Sequence, residues 1–169
     1  MRRTFATLVH SNRATASVEM ALSLPILVAL LFGAFELGNY FMTEHIVVKA
    51  VRDGARFAAR QPFADYAGCS PSATLVTETQ NVTRTGRIAA GGTPRFASWS
   101  DPNTIDVTAT CDDTGSYADA AFYEDNADGV PVVTVQANNV PYTPLFAQVG
   151  FASVTLHLNA QSQAAVTGR

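Results

Sequence analysis

Between Glu19 and Glu36 lie sixteen consecutive residues without a charge, MALSLPILVALLFGAF, and apolar character continues outward through Ala16, Val18, Leu37, Tyr40, Phe41 and Met42. At about 1.5 Å per residue this run is long enough to cross a hydrocarbon core of about 30 Å. An unbroken block of this kind in a chain of 169 residues is read as one membrane-spanning helix rather than a buried core helix. Everything else in the chain is constrained by that segment. A short basic leader precedes it, over residues 1–14. The long helix occupies residues 15–61, and a small domain is left for residues 62–169.

The flanks and the composition narrow the function. Arg2, Arg3 and Arg13 precede the span with no acidic residue among them, which suits a cytoplasmic flank. Lys49, Arg52, Arg56 and Arg60 follow it, so a count of positive charges alone does not fix the orientation. No small-x-small cleavage site follows the apolar run between Gly38 and Glu44, so retention as an anchor is expected over removal as a secretory signal. The net charge of −3 and pI near 5.5 give no global basic surface, and no nucleic-acid partner is expected. The three histidines, His10, His45 and His157, are scattered singly and do not suggest a metal site. Neither a G-x-S-x-G elbow nor a phosphate-cradling glycine loop occurs, so no enzymatic activity and no cofactor are expected.

Within the span, Pro25 removes a helical donor and can bend the helix, a change that neighbouring helices can compensate in a membrane. Ala29 with Gly33 and Ala34 with Gly38 have small-xxx-small spacing, which lets another helix approach closely. Chance occurrence in an Ala- and Gly-containing helix gives the same pairs. Glu19 and Glu36 are the informative charges, because a carboxylate at membrane depth costs on the order of 2.5 to 3.5 kcal/mol unless it is paired, protonated or snorkelling. Each is either an interfacial residue or a charge that pairs with a positive group on another chain.

The helix extends beyond the span. Ile46, Val47, Ala50, Val51, Gly54, Phe57 and Ala58 recur at helical spacing, Lys49, Arg52, Asp53, Arg56 and Arg60 take the other face, and Pro62 marks the end. The result is a helix of about 44 residues and about 65 Å. The stretch from Phe63 to Pro71 reads as polar and irregular. A second helix is predicted from Ser72 to Thr85, with Leu75, Val76, Thr79 and Val82 inward and Gly86 as its stop. Ala89 to Asp101 reads as loop. Strands are predicted at Thr104–Cys111, Pro131–Asn138 and Ser153–Ala164, with a helical turn around Thr143–Gln148. In the first strand Ile105, Val107, Ala109 and Cys111 face inward; in the third, Val154, Leu156, Leu158 and Ala160 share one face. The fold class is α+β: a long N-terminal transmembrane helix continuing into a small domain with a second helix and a three- or four-stranded antiparallel sheet. In the acidic segment Asp112–Gly129, Glu124, Asn126 and Asp128 fit the first half of a calcium loop. The twelfth position is Val135, however, and strands flank the segment, so a solvated hairpin accounts for it better.

The ordered elements SVEMALSLPILVALLFGAFELG and IVVKAVRDGARFAARQ resemble the TadE-like, pilin-related proteins of the tight-adherence (type IVb) pilus system. The resemblance covers Ser17 to Ala59, about a quarter of the chain. It implies a minor pilin or pseudopilin that helps to assemble a fibre at the inner membrane, with a cytoplasmic N-terminus and a periplasmic C-terminal domain. It also implies a leader cut by prepilin peptidase so that a glutamate lies fifth in the mature chain. Mapped here, the cut falls between Ala14 and Thr15, with Ala14 in place of the family's usual glycine, and Glu19 becomes the fifth residue. The implied partners are other pilin and pseudopilin subunits, the inner-membrane assembly machinery, the peptidase and the lipid bilayer. On the oxidising side, the two cysteines, Cys69 and Cys111, are expected to form a disulfide. A single-span anchored binding or sensor domain is the alternative reading, one that needs neither leader excision nor pilus subunits.

Overall fold

A computed structural model describes residues 12–112, 129–148 and 156–168, with side chains from Thr15 onward. The calcium-loop candidates Glu124, Asn126 and Asp128, the leader residues before Asn12, and Ser153 to Thr155 of the expected third strand lie outside the described residues. Helix α1 runs from Asn12 to Ala58 and continues through Pro25. It ends in a turn that precedes Pro62, with Arg60 N donating to Phe57 O and Gln61 N to Ala58 O. The chain divides into two compact units at Asn39/Tyr40, so the second half of α1 belongs to the globular unit.

In that unit the apolar spacing of the sequence becomes the core. Val47, Ala50, Val51, Ala55 and Ala58 of α1 are buried, each one or two turns apart along one face. They share a single cluster with the inward residues of a three-stranded sheet: Ile105 and Val107 on β1 (Ile105–Asp112), Val133, Val135, Ala137 and Val140 on β2 (Val130–Tyr142), and Leu158 on β3 (Leu156–Ala165). The sheet is an antiparallel meander in the order β1-β2-β3. Val107 pairs with Val135, and Ala137 with Ala160. Alternation puts the polar residues on the opposite face, where Gln136 Nε2 donates to Gln161 Oε1 at 2.9 Å and Asn138 Nδ2 to Asp106 Oδ2 at 2.8 Å.

Strand β2 is longer than its alternation suggests. It passes through a bulge between Ala137 and Val140, with Asn139 at φ 54°, and pairing resumes as far as Tyr142 with Leu156. Asn tolerates that left-handed backbone, and Asn159 Oδ1 accepts from Asn139 N at 2.8 Å. Beyond β2, the short helix α3 (Leu145–Gln148) occupies the expected helical turn.

Helix α2 (Ala73–Thr85) starts where Ser72 Oγ accepts from Leu75 N and stops at Gly86, at φ 76°. Its inward face differs from the expected one. Leu75 and Thr79 are buried as predicted, but Val82 is only half-buried and Thr83 and Asn81 are buried instead. The reason lies in α1. Gly54, lacking a side chain, leaves room for the Thr83 side chain to lie directly against the α1 backbone. Thr83 satisfies its hydroxyl within its own helix, donating to Thr79 O at 2.7 Å, and a Cβ on Gly54 would collide with Thr83 Oγ1.

Two segments that read as irregular contribute to the core. Phe63–Cys69 forms 3₁₀ turns around a kink at Tyr66–Gly68, and Tyr66 is buried with its hydroxyl donating to Ala58 O at 2.7 Å. In the loop after α2, Trp99 is fully buried, its Nε1 donates to Thr104 Oγ1 at 2.8 Å, and its ring lies 5.4 Å from that of Phe96. Cys69 and Cys111 are joined in a disulfide with a Cα–Cα distance of 5.6 Å, linking the 3₁₀ segment to β1. At the end of the chain, Thr167 N donates to Ala59 O at 2.8 Å, which ties the C-terminal end of β3 to the C-terminal end of α1.

Candidate helix-packing site

The first half of α1 is apolar on all sides and exposed on all sides. Val18, Leu22, Leu30 and Phe35 each keep more than half of their surface open, and the most hydropathic window of the helix, mean hydropathy 2.1, has none of its residues buried. A core helix of a soluble protein would be covered by its own chain. This helix is long and apolar enough to cross a membrane and presents its surface for covering by lipid or by other helices.

The small-residue pairs gain meaning from the contrast with Gly54. At Gly54 a side chain is excluded by packing within the chain itself. At Gly33 and Gly38 an added Cβ would meet nothing within 4 Å, so nothing in this chain's own described packing requires glycine there. Ala29 and Ala34 are exposed as well. At 100° per residue the Ala29/Gly33 pair and the Ala34/Gly38 pair lie on faces about 140° apart, so α1 has two separate strips on which a second helix backbone can come close.

The charged candidates fall at the two ends of this surface. Glu19 is exposed on α1, one helical turn after Thr15, so a carboxylate and the proposed mature N-terminus share one side of the helix. Ala14 and Thr15 lie in the first turns of α1. Glu36 is half-buried and engaged in contacts. The structure therefore does not bring Glu19 and Glu36 together; seventeen positions of one helix separate them. Pro25 lies between Glu19 and the first small strip, on a helix that carries on past it.

The charged residues at the end of α1 and in the turn after it divide into two roles. Lys49, Arg52, Arg56 and Arg60 are exposed, as a solvated helix face would be, and Asp53, Arg56, Phe57, Arg60 and Gln61 line an open groove of about 360 Å³. Asp53 instead pairs with Arg95 Nη2 at 3.0 Å, while Arg95 Nε donates to Thr83 O at 3.0 Å. That arginine fastens the long loop after α2 to both helices. Sequence reading did not find it, because nothing local marks a loop arginine as the partner of an aspartate forty-two positions earlier.

Residues 14–56 match the sequence profile of the family described as TadE-like protein. The matched region contains the exposed apolar half of α1, both small-residue strips, Glu19, Glu36 and Gly54. No curated protein and no solved structure matches the chain significantly. The family match ties the chain to the tight-adherence pilus system.

Proposed function

We propose that this chain is a minor pilin or pseudopilin-like component of a tight-adherence pilus that works through α1, without catalysis, by packing that helix against the helices of other pilin and pseudopilin subunits at the inner membrane. The observation that carries the reading is the pair of open glycines in a helix whose family match is confined to that same helix: Gly33 and Gly38 serve no packing within the chain's described residues. Prepilin peptidase removes the leader between Ala14 and Thr15, leaving the N-terminus on the cytoplasmic side and the globular unit in the periplasm. The new amine at Thr15 of one subunit pairs with Glu19 of its neighbour. A carboxylate in a low-dielectric setting is expensive alone and tolerated when paired, which gives cleavage and Glu19 a common physical purpose.

The disulfide agrees with a periplasmic domain, since such bonds persist in oxidising compartments. Glu19→Ala tests the pairing role. Membrane insertion of the variant, measured by fractionation, is expected to be unchanged while pilus production in the native host falls. Normal pilus production with Glu19→Ala contradicts the role of the carboxylate, and failure of the variant to enter the membrane contradicts its assignment to assembly.

A further inference from the structure

We infer that the globular unit carries its own membrane-contact surface, a foot formed by Tyr40, Phe41, Met42, Leu145 and Leu156 that rests in the interfacial layer of the bilayer. The inference rests on the membrane-span part of the proposed function and not on the pilus part. Its first support is where the sheet ends. Tyr142, the last residue of β2, lies with its ring 5.3 Å from that of Tyr40 and at 77° to it, and Leu156, the first residue of β3, is its strand partner. The far end of β3 meets the other end of the helix, through Thr167 and Ala59. Strand β3 therefore runs alongside α1 from the level of Tyr40 toward the level of Ala59, and its start is at the Tyr40 end.

The second support is what is exposed at that end. Met42 is 68% exposed, Phe41 49%, Leu156 41% and Leu145 40%. Large apolar side chains left open on a domain that otherwise alternates apolar-in and polar-out mark a surface that something covers. The occupant is lipid because the patch is continuous with α1. Exposed apolar residues run along that helix from Val18 up to Phe41 and Met42, where they stop, and the next exposed position is His45. Tyr40, half-buried beside the buried Tyr142, combines an apolar ring with a polar hydroxyl, the composition that favours the headgroup level. Charge supplies a third support: no Asp, Glu, Lys or Arg occurs between Asp128 and Arg169, whereas the stretch from Glu44 to Arg60 is rich in them. Strands β2 and β3 therefore bring no charge of their own to the foot, and the nearest charge on α1 is Glu44.

The test uses site-directed spin labels on the full chain in vesicles of phosphatidylethanolamine and phosphatidylglycerol. Native Cys69 and Cys111 are bonded to each other, so a single added cysteine takes one label, which intact mass verifies. Labels are placed at Leu145→Cys, Leu156→Cys, Gln163→Cys and, within the span, Leu27→Cys. Collision with oxygen, enriched in lipid, is compared with collision with a water-soluble nickel chelate. The expected result is an oxygen-to-nickel ratio at Leu145 and Leu156 several-fold higher than at Gln163, further along the same strand as Leu156. With Leu27 in lipid, nickel access at Leu145 and Leu156 equal to that at Gln163 would overturn the foot alone. Low access to both reagents there would overturn it too, because protein and not lipid would then cover the patch. Nickel access at Leu27 would remove the membrane span and the foot with it.

Discussion

Replacing Gly54 by alanine tests how the globular unit is assembled on α1, and it does so through the sign of a free-energy change. In an exposed helix interior Gly→Ala is stabilising by about 1 kcal/mol, since alanine has less backbone freedom to lose. At Gly54 the new Cβ would overlap Thr83 Oγ1 and lie 3.3 Å from Thr83 Cβ, with Val135 Cγ1 at an ordinary 3.6 Å. Overpacking a close-packed core of this kind costs about 1 to 3 kcal/mol. Thr83 can relieve the overlap only by giving up its bond to Thr79 O or by shifting α2 away from α1. The net expectation is a loss of about 1 to 2 kcal/mol. In a Thr83→Ala background the oxygen is gone, and the same Gly54→Ala change should be neutral or stabilising by up to about 1 kcal/mol. The assay is chemical denaturation of the full chain in detergent micelles, followed by the fluorescence of the single, fully buried Trp99. A double-mutant cycle on the four proteins isolates the contact. Equal effects of Gly54→Ala in the two backgrounds would refute the close approach of α1 and α2 at this point.

Two further expectations concern the globular unit. Under non-reducing conditions alkylation should label neither cysteine, and reduction should cost about 4 kcal/mol by the loop-entropy relation for a separation of 42 residues; two freely labelled thiols would remove the bridge. Burial of Tyr66, reinforced by the charge of Asp65, raises its phenol pKa above the ordinary value of 10.0. The native state therefore holds that proton when the unfolded chain releases it, so stability should be flat below about pH 10 and fall above it, by at most about 1.4 kcal/mol per pH unit. Tyr66→Phe should lower stability near neutral pH by about 1 kcal/mol, for the lost bond to Ala58 O, and flatten part of the alkaline fall.

The elements with a clear period were legible in the sequence. The long helix, the inward set Ile105 and Val107 on β1, the Ser72 and Gly86 ends of α2 and the Cys69–Cys111 pair follow from hydrophobic spacing, end signals and the expected oxidising compartment. What was not legible depends on contacts between distant parts of the chain. Tyr66 and Trp99 sit in stretches without periodicity, and only the tertiary fold gives their hydroxyl and indole groups partners at Ala58 and Thr104. The inward turn of Thr83 goes with the missing side chain of Gly54, on another helix. Leu156 was expected to share one face with Leu158 and Ala160, yet at the first position of β3 it is exposed while its strand partner Tyr142 is buried. At the candidate site the small-residue spacing was visible in the sequence. Only the structure separates glycines needed within the chain from glycines left open.

The account's central claim is that α1 begins, in the mature protein, at a peptidase cut and acts as a pilin helix. Intact-mass measurement of the chain purified from membranes of its native host, with an active prepilin peptidase, tests this most directly. The account predicts a mass beginning at Thr15, with Glu19 as the fifth residue. A mature chain beginning at Met1 in that host would contradict it and favour an anchored domain that takes no part in pilin assembly.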